Sequence, residues 1–247
     1  MSFALNLSPP AAGGKARSVR AALRRCAWLF VTLLLAAAPV LAAAQQKLRV
    51  VTTSADLKSL ALSVGGIRVD VESLAAPEQD PHAIELKPGQ LARARSAALL
   101  IRVGLDHEPW LSRLNLPPRV AVLDASLNVR LTQTQTPRLR AERRAHVHAF
   151  GNTHYWLDPM NAIPMTAAIR DALTKLSPQD GRLFEANRLA FLDSLRARFE
   201  QWKKTLAPYR GARLVVMHDS WSYFAEAFGL QLVGAAETHP GVAPSPA

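Results

Sequence analysis

The sequence predicts an α/β fold with two lobes of parallel sheet that are joined by one long rigid helix, the second lobe being incomplete. Three observations predict it. Short apolar runs alternate with helical stretches in the first half, an unusually long helical pattern follows, and two more short apolar runs come after that pattern. Apolar strands separated by helices are typical of a parallel sheet that is covered on both faces.

The composition excludes a disordered or fibrous chain, because 49% of the 247 residues are apolar and only 20% are charged. The formal net charge of +11 is unevenly distributed. Five of the 30 basic residues lie in 1–44, where no acidic residue occurs, so the rest of the chain has a balance of only +6. That mild excess does not require a polyanionic partner.

The first 44 residues have the layout of a secretory signal peptide. A cationic stretch ends at Arg24 and Arg25, an apolar run covers 27–40, and small residues lead to a predicted cleavage site after Ala44. The run is short for a membrane span, which needs about 20 apolar residues. An uncleaved anchor or a twin-arginine signal are the alternatives. Cys26 is the only cysteine, so the chain after Ala44 has no thiol and any metal must be held by nitrogen and oxygen.

Residues 45–157 are predicted to form the first α/β lobe. Its predicted strands cover 48–53, 67–74, 97–103 and 120–123, and its predicted helices cover 56–64, 86–95 and 108–114. Residues 128–153 interrupt this rhythm with polar and charged residues that have no apolar face, which indicates a mobile surface loop.

A helical segment, 158–209, is predicted to contain the helix that joins the lobes, at about 178–206. Ser177 is a candidate N-cap, Pro178 suits the first turn, and Pro208 with Gly211 ends the pattern. At about 1.5 Å per residue this helix would reach roughly 40 Å, which is longer than one doubly wound domain requires. Residues 210–247 then supply a partial second lobe, with strands at 212–217 and 230–233 and a helix at 220–228.

Three histidines follow predicted strands or precede helices. They are His82, His154 and His218. One such histidine is usually an ordinary polar residue, but three at the ends of elements indicate a metal site, because neutral imidazole is the commonest metal ligand. The spacing alone leaves this open, since there is no His-x-x-x-His or Cys-x-x-Cys pair.

Several motifs together resemble one family, the zinc- and manganese-binding substrate-binding proteins of bacterial metal-uptake ABC transporters (cluster A-I of the periplasmic solute-binding proteins). These motifs are Asp80-Pro81-His82 with Glu85 and Pro88, Gly104-Leu105-Asp106 with Glu108 and Trp110, His154-Tyr155-Trp156-Leu157-Asp158-Pro159, Met217-His218-Asp219-Ser220, and Pro240-Gly241-Val242-Ala243-Pro244. They occur in the family's order over nearly all of the chain after the signal peptide.

The resemblance implies a periplasmic receptor that captures a divalent metal ion between two lobes and delivers it to a membrane-embedded ABC permease. His82 and His154 would come from the first lobe and His218 from the second. Three imidazoles favour Zn²⁺, with Mn²⁺ second because it prefers oxygen ligands. Asp158 and Asp219 would orient imidazoles, although a helix-cap role is equally expected for Asp219. We expect a monomer that binds no nucleic acid and has no catalytic residues.

The chain departs from the family at its end. The family's fourth ligand, usually an aspartate, comes from a later strand of the second lobe, which this sequence does not reach, so the resemblance is to a C-terminally truncated member. Water or Glu237 would complete the shell. An exposed sheet edge, weaker affinity and lower stability are expected.

Two other functions remain as alternatives. A secreted zinc hydrolase would use three histidines and an open fourth position to activate water, with Glu85 or Glu237 as the base. A nucleic-acid or heparin-binding adhesin would use the arginines of the polar loop, Arg138, Arg140, Arg143 and Arg144, and would be strongly salt-sensitive. The remaining histidines, His107, His146 and His148, are expected not to be ligands.

Overall fold

The computed structural model describes residues 46–79, 82, 84–132 and 152–237. The described elements all belong to one compact unit that begins at Lys47. The predicted signal peptide and most of the predicted polar loop lie outside the described residues, so both stay predictions. No helix in the described part of the chain is long and apolar enough to cross a membrane.

The first sheet has four parallel strands in the order β2-β1-β3-β4. The strands are β1 (Leu48–Thr52), β2 (Val69–Ser73), β3 (Leu99–Arg102) and β4 (Ala121–Asp124). Two helices, α1 (Ala55–Gly65) and α2 (Pro88–Ser96), connect the first three strands. The third predicted helix is a 3₁₀ segment, Pro109–Leu114. It is short because Pro109 begins it and Asn115, in a left-handed conformation, ends it.

Apolar layers cover both faces of this sheet, as the sequence predicts. Along β1, Val50 packs in one buried cluster with Leu57 of α1, while the next residue, Val51, packs in a second cluster with Ala94 of α2. Successive strand residues point to opposite faces, so both clusters draw on the same strands. Burying a Val or Leu side chain stabilises the fold by about 1.5–3 kcal/mol.

Helix α3 (Ala162–Leu176) leads through the 3₁₀ turn Pro178–Asp180 into the long helix α4 (Gly181–Leu206). The first turns of α4 pack on α1 and α3, where Phe184 and Leu192 are buried. Its far end reaches the second sheet's helix, since the ring centroids of Phe199 and Phe228 are 5.5 Å apart. The predicted long helix therefore contacts elements at both ends, and the α/β fold is confirmed. The lobe boundaries at 157, 209 and 210 stay predictions.

The second sheet consists of two parallel strands, β5 (Arg213–Val216) and β6 (Gln231–Ala235), joined by α5 (Ser222–Phe228). Gly229 ends α5 in the left-handed conformation, with φ of 70°. Val215 and Met217 are each 60% exposed. Two strands give little cooperative stability by themselves. The second sheet therefore relies on its contacts with α4 and with the residues around the cleft described below.

An ion pair fixes the start of α4 against the first sheet. The Arg68 guanidinium lies 3.0 Å from both carboxylate oxygens of Asp180, and the Ser177 hydroxyl donates to the same carboxylate at 2.6 Å. The hydrogen bond from Arg68, and then the one from Ser177, hold the pKa of Asp180 below its ordinary value. A lowered pKa means that the ionised carboxylate stabilises the fold above its ordinary pKa, and that this stabilisation is lost as the pH falls through the lowered value.

Replacing Asp180→Asn should therefore lower the free energy of unfolding by about 1–2 kcal/mol at pH 7, because a charge-assisted pair is lost. The difference from the parent protein should shrink as the pH falls below the ordinary pKa of an aspartate and through the lowered pKa of Asp180 in the folded protein, where the parent carboxyl becomes protonated. Urea unfolding over this pH range measures it. Asp193→Asn, which breaks an exposed pair with Arg196, is the control and should change stability by less than about 0.5 kcal/mol. An equal loss for Asp180→Asn at both pH extremes would contradict the assignment.

Candidate metal centre

Three separate segments bring the predicted histidines together. His82 lies in the connection that follows β2, His154 precedes the 3₁₀ turn Tyr155–Leu157, and His218 lies two residues beyond the end of β5. The Nε2 atom of His154 is 3.2 Å from Nε2 of His82 and 3.3 Å from Nε2 of His218. One ring nitrogen from each residue lies within 4.8 Å of the other two.

The tautomer of His154 follows from its neighbour Asn152. The backbone N–H of His154 donates to Oδ1 of Asn152 at 2.9 Å, and Nδ1 of the ring lies 2.9 Å from the same oxygen. Because a backbone N–H can only donate, the facing Asn152 atom must be the oxygen. The oxygen in turn requires a proton on Nδ1 of His154. The Nε2 atom therefore carries a lone pair that faces the other two histidines.

His82 has the same tautomer for a similar reason. Its Nδ1 atom lies 3.0 Å from the backbone carbonyl oxygen of His107, which can only accept. Two lone pairs therefore face each other at 3.2 Å. Such a contact is repulsive unless a proton or a cation lies between the nitrogens. Four ligands at the usual Zn–N distance of about 2.0–2.1 Å in a tetrahedron would be about 3.3–3.4 Å apart, so the two measured separations suit one zinc ion.

His107 contacts His82 and Thr153 next to the three converging histidines. Its ring is fully buried, packs against the His82 ring at a tilt of 46° with centroids 3.8 Å apart, and has Nδ1 2.8 Å from the Thr153 hydroxyl. It is not one of the three converging ligands in the described residues. The sequence predicted that His107 is not a ligand but gave no sign of this supporting role. Thr153 is next to His154. Its hydrogen bond to His107 therefore links the turn whose carbonyl holds His82 to the segment that carries His154.

The turn after β3 places His107. Gly104 has φ of 84°, and a Cβ atom there would lie 2.0 Å from Oδ1 of Asp124, so only glycine fits. Glu108 closes the turn, because its carboxylate accepts from the backbone N–H of Val103 at 2.6 Å and of Gly104 at 3.0 Å. Burial raises the pKa of Glu108, and these hydrogen bonds partly oppose the rise. Glu108 is therefore a structural group of the turn.

The acidic residues near the site have other contacts than the sequence predicted. Asp158 accepts from the backbone N–H of Met160 at 2.9 Å and caps the following turn, so the expectation that it orients an imidazole is wrong. Asn152 contacts the imidazole instead. Asp219 is connected to His154 through Asn152, since its backbone oxygen accepts from the Asn152 amide at 2.8 Å. Sequence patterns distinguish such roles poorly because each is set by the tertiary structure.

A cleft of about 440 Å³ opens over the three imidazoles, between the loop after β2 and the ends of β5 and β6. Its lining includes Glu78, Trp156, Met217, Trp221 and Glu237 together with the histidines. Glu237 thus lies at the same cleft, but its carboxylate is not among the ligand atoms that converge within 4.8 Å. As placed, the three histidines could supply three ligands to a metal ion, and water or a rearranged Glu237 would have to supply the fourth.

Comparison with known proteins supports the same interpretation. The family model for zinc-uptake complex component A, periplasmic, matches residues 50–247. The chain is 30% identical over 226 residues to the high-affinity zinc uptake system protein ZnuA of Paracoccus denitrificans, covering 81% of this chain and 69% of that protein. It is 26% identical over 210 residues to the zinc-binding lipoprotein AdcA of Streptococcus pneumoniae, covering 83% of this chain but only 42% of that protein.

Solved structures show the same fold. A crystal structure of ZnuA superposes with a TM-score of 0.69 at 27% identity and covers 81% of this chain and 74% of that one. Zn(II)-bound AdcA from Streptococcus pneumoniae gives 0.63 at 24% identity, covering 81% of this chain and 41% of that one. The resemblance seen in the motifs is confirmed: this chain belongs to the family of periplasmic A components of zinc-uptake complexes.

Proposed function

We propose that the protein is an extracytoplasmic receptor that binds one zinc ion through His82, His154 and His218 and delivers it to an ABC permease for import. The observation that supports this function best is the convergence of three Nε2 atoms, with the central pairs 3.2 and 3.3 Å apart. Two of these nitrogens are held as lone-pair donors by hydrogen bonds to their Nδ1 atoms. That arrangement binds a cation without first losing a proton at Nε2.

Zinc is favoured over manganese because all three converging ligands are nitrogens. Zn²⁺ suits imidazole, whereas Mn²⁺ is better served by carboxylate, carbonyl and water oxygens. The two acidic residues of the described cleft lining, Glu78 and Glu237, both stand outside the converging group. A shell of three imidazoles and one water therefore describes the proposed site, and manganese is the second choice.

The three ligands belong to two different sheets, and this placement would allow the bound zinc ion to be released. His82 and His154 are fixed to the first sheet, through the His107 carbonyl and through the neighbouring Tyr155, whose hydroxyl donates to the Val103 carbonyl at 2.7 Å. His218 follows a strand of the second sheet. A relative movement of the two sheets would remove one of three ligands and so weaken binding steeply. This is the property that a receptor needs when it transfers its cargo to a permease.

Single alanine replacements test the ligand set. His82→Ala, His154→Ala and His218→Ala should each weaken zinc binding by at least about 100-fold, because even residues that only orient ligands are worth 10–100-fold. Competition with a chromophoric chelator measures the affinity of protein exported to a bacterial periplasm and stripped of metal. The parent protein should bind one zinc ion and prefer it to manganese. Replacement of His146 and His148 by alanine is the control, and affinity close to that of the parent in all three variants would reject the site.

The catalytic alternative finds less support. Of the two candidate bases, Glu85 lines a different cavity, of about 410 Å³, and Glu237 lines the metal cleft. We expect zinc-loaded protein to show no hydrolysis of activated esters or of peptides above the rate of the chelator-treated protein. Spectrophotometric and peptide-cleavage assays of the same preparation measure this. A chelator-sensitive rate that is lost in Glu237→Gln would instead establish a hydrolase.

We also propose that the protein acts as a monomer and does not bind nucleic acid. The arginines of the polar loop that raised the adhesin alternative lie outside the described residues, and the balance of +6 after residue 44 is small. Light scattering coupled to size-exclusion chromatography should give the mass of one chain. A DNA fragment or heparin should not be retained at about 150 mM salt, where weak charge contacts are screened. A dimer mass, or retention that falls steeply with salt, would contradict this part of the proposal.

A further inference from the structure

The side chain of Asn152 is bonded both to a proposed zinc ligand and to the loop that carries another. Its Oδ1 atom accepts from the backbone N–H of His154 and faces Nδ1 of the same residue, both at 2.9 Å. Its Nδ2 atom donates to the backbone oxygen of Asp219 at 2.8 Å and to the Ser222 hydroxyl at 2.6 Å. Asp219 directly follows His218, and Ser222 begins α5.

We infer that Asn152 is a positioning residue that orients the His154 ring and holds the His218 loop at the same time, so that one amide sets the spacing between two ligands from different sheets. This inference rests on the proposed zinc site. It adds a role for a residue that does not touch the metal.

The backbone of Asn152 is anchored as well. The Tyr223 hydroxyl donates to the Asn152 carbonyl oxygen at 2.8 Å and accepts from the Thr132 N–H at 3.0 Å. Tyr223 is 4% exposed and belongs to α5, so the second sheet's helix holds Asn152 through its main chain. The backbone of Asn152 is therefore fixed. From this position the oxygen of its side-chain amide contacts His154 and the nitrogen contacts Asp219 and Ser222.

The consequence for the site follows from the central place of His154. Its Nε2 atom is the common neighbour of the other two ligand nitrogens, at 3.2 and 3.3 Å. A change in the orientation of the His154 ring, or in the position of the His218 loop, would lengthen the distance between the Nε2 atoms of His154 and His218. By fixing both, Asn152 reduces the ordering that metal binding would otherwise have to impose, which is how preorganisation raises affinity.

Two substitutions test the roles of the oxygen and the nitrogen of the Asn152 side-chain amide separately. Asn152→Asp keeps an oxygen that accepts from Nδ1 and from the backbone N–H of His154. It replaces the Nδ2 donor by a carboxylate oxygen that faces the Asp219 carbonyl, so the connection to the His218 loop is weakened. Asn152→Ala removes both ends. Asn187→Ala is the matched control, because it deletes another partly buried asparagine, whose amide donates to the Val64 carbonyl at 3.0 Å near the C-terminal end of α1.

The first measurement needs no metal. In the zinc-free protein, ¹⁵N chemical shifts of the imidazoles should place the proton of neutral His154 on Nδ1 in the parent, in Asn152→Asp and in Asn187→Ala. In Asn152→Ala the His154 ring should become a mixture of tautomers. An unchanged tautomer in Asn152→Ala would overturn the orienting role, and this result does not depend on whether the protein binds zinc.

The second measurement is zinc affinity in a double-mutant cycle. We expect Asn152→Ala to weaken binding by about 10–100-fold and Asn152→Asp by about tenfold, with Asn187→Ala unchanged. In a His218→Ala background, Asn152→Asp should have no further effect beyond about twofold, because the loop it holds no longer carries a ligand. Circular dichroism of each variant checks that it folds.

The outcomes distinguish the inference from the proposed function. If the parent binds zinc through the three histidines but both Asn152 variants bind as the parent does, the inference is wrong and the proposed function stands. If Asn152→Asp loses as much affinity with His218→Ala as without it, the connection to the His218 loop is wrong. If the parent does not bind zinc through these histidines, both the site and the role of Asn152 in metal binding are rejected.

Discussion

The structure depends on one electrostatic constraint, the close approach of imidazole lone pairs that cannot hydrogen-bond to one another. His82 and His154 each donate a hydrogen bond from Nδ1 to a protein oxygen, so their Nε2 atoms meet at 3.2 Å as two acceptors. Without a cation this arrangement is unfavourable, and the surrounding fold must hold it. With a divalent cation between the nitrogens, the same arrangement becomes attractive. The surrounding fold therefore holds the two nitrogens in an arrangement that favours a positive charge between them.

The parallel topology explains how distant parts of the chain reach this point. Connections that leave the carboxyl ends of parallel strands meet at one edge of a sheet, which is where open α/β folds form ligand sites. The connection after β2 carries His82, and the strained turn after β3 carries the His107 carbonyl that holds it. His218 leaves β5 of the second sheet in the same manner. The site therefore arises from the ends of three strands and one 3₁₀ turn, with no motif continuous in sequence.

Much of this could be predicted from the sequence because periodicity and element ends are local properties. Every strand in the described residues overlaps a predicted one, and the long helix ends at Leu206 as expected from Pro208 and Gly211. The three histidines are candidates because each lies at the end of a predicted element, and the resemblance of the surrounding motifs to the family selects them as ligands. The residues that support them could not be found in this way. In the sequence, Asn152 and Thr153 look like ordinary turn residues. The partner of Asn152, Asp219, lies 67 positions away, and the partner of Thr153, His107, lies 46 positions away.

The wrong expectation about Asp158 has the same origin. An aspartate close to a histidine in sequence is a reasonable candidate to orient the ring, but Asp158 precedes Pro159 at the start of a 3₁₀ turn and caps it. Local capping competes with contacts across the site, and proximity along the chain does not decide between them. Here the Asp158 carboxylate accepts from the backbone of the turn, and the uncharged amide of Asn152 contacts the imidazole of His154.

Helix α4 gives the second sheet a long lever arm. Its 26 residues extend over about 39 Å at about 1.5 Å per residue, and the Arg68–Asp180 pair holds the end next to the first sheet. A tilt of only about 5° at that end would displace the other end by about 3 Å. Metal–ligand distances tolerate about 0.2 Å. A rotation of this size, if transmitted to the second sheet, would therefore be enough to detach His218 from an ion held by the other two imidazoles.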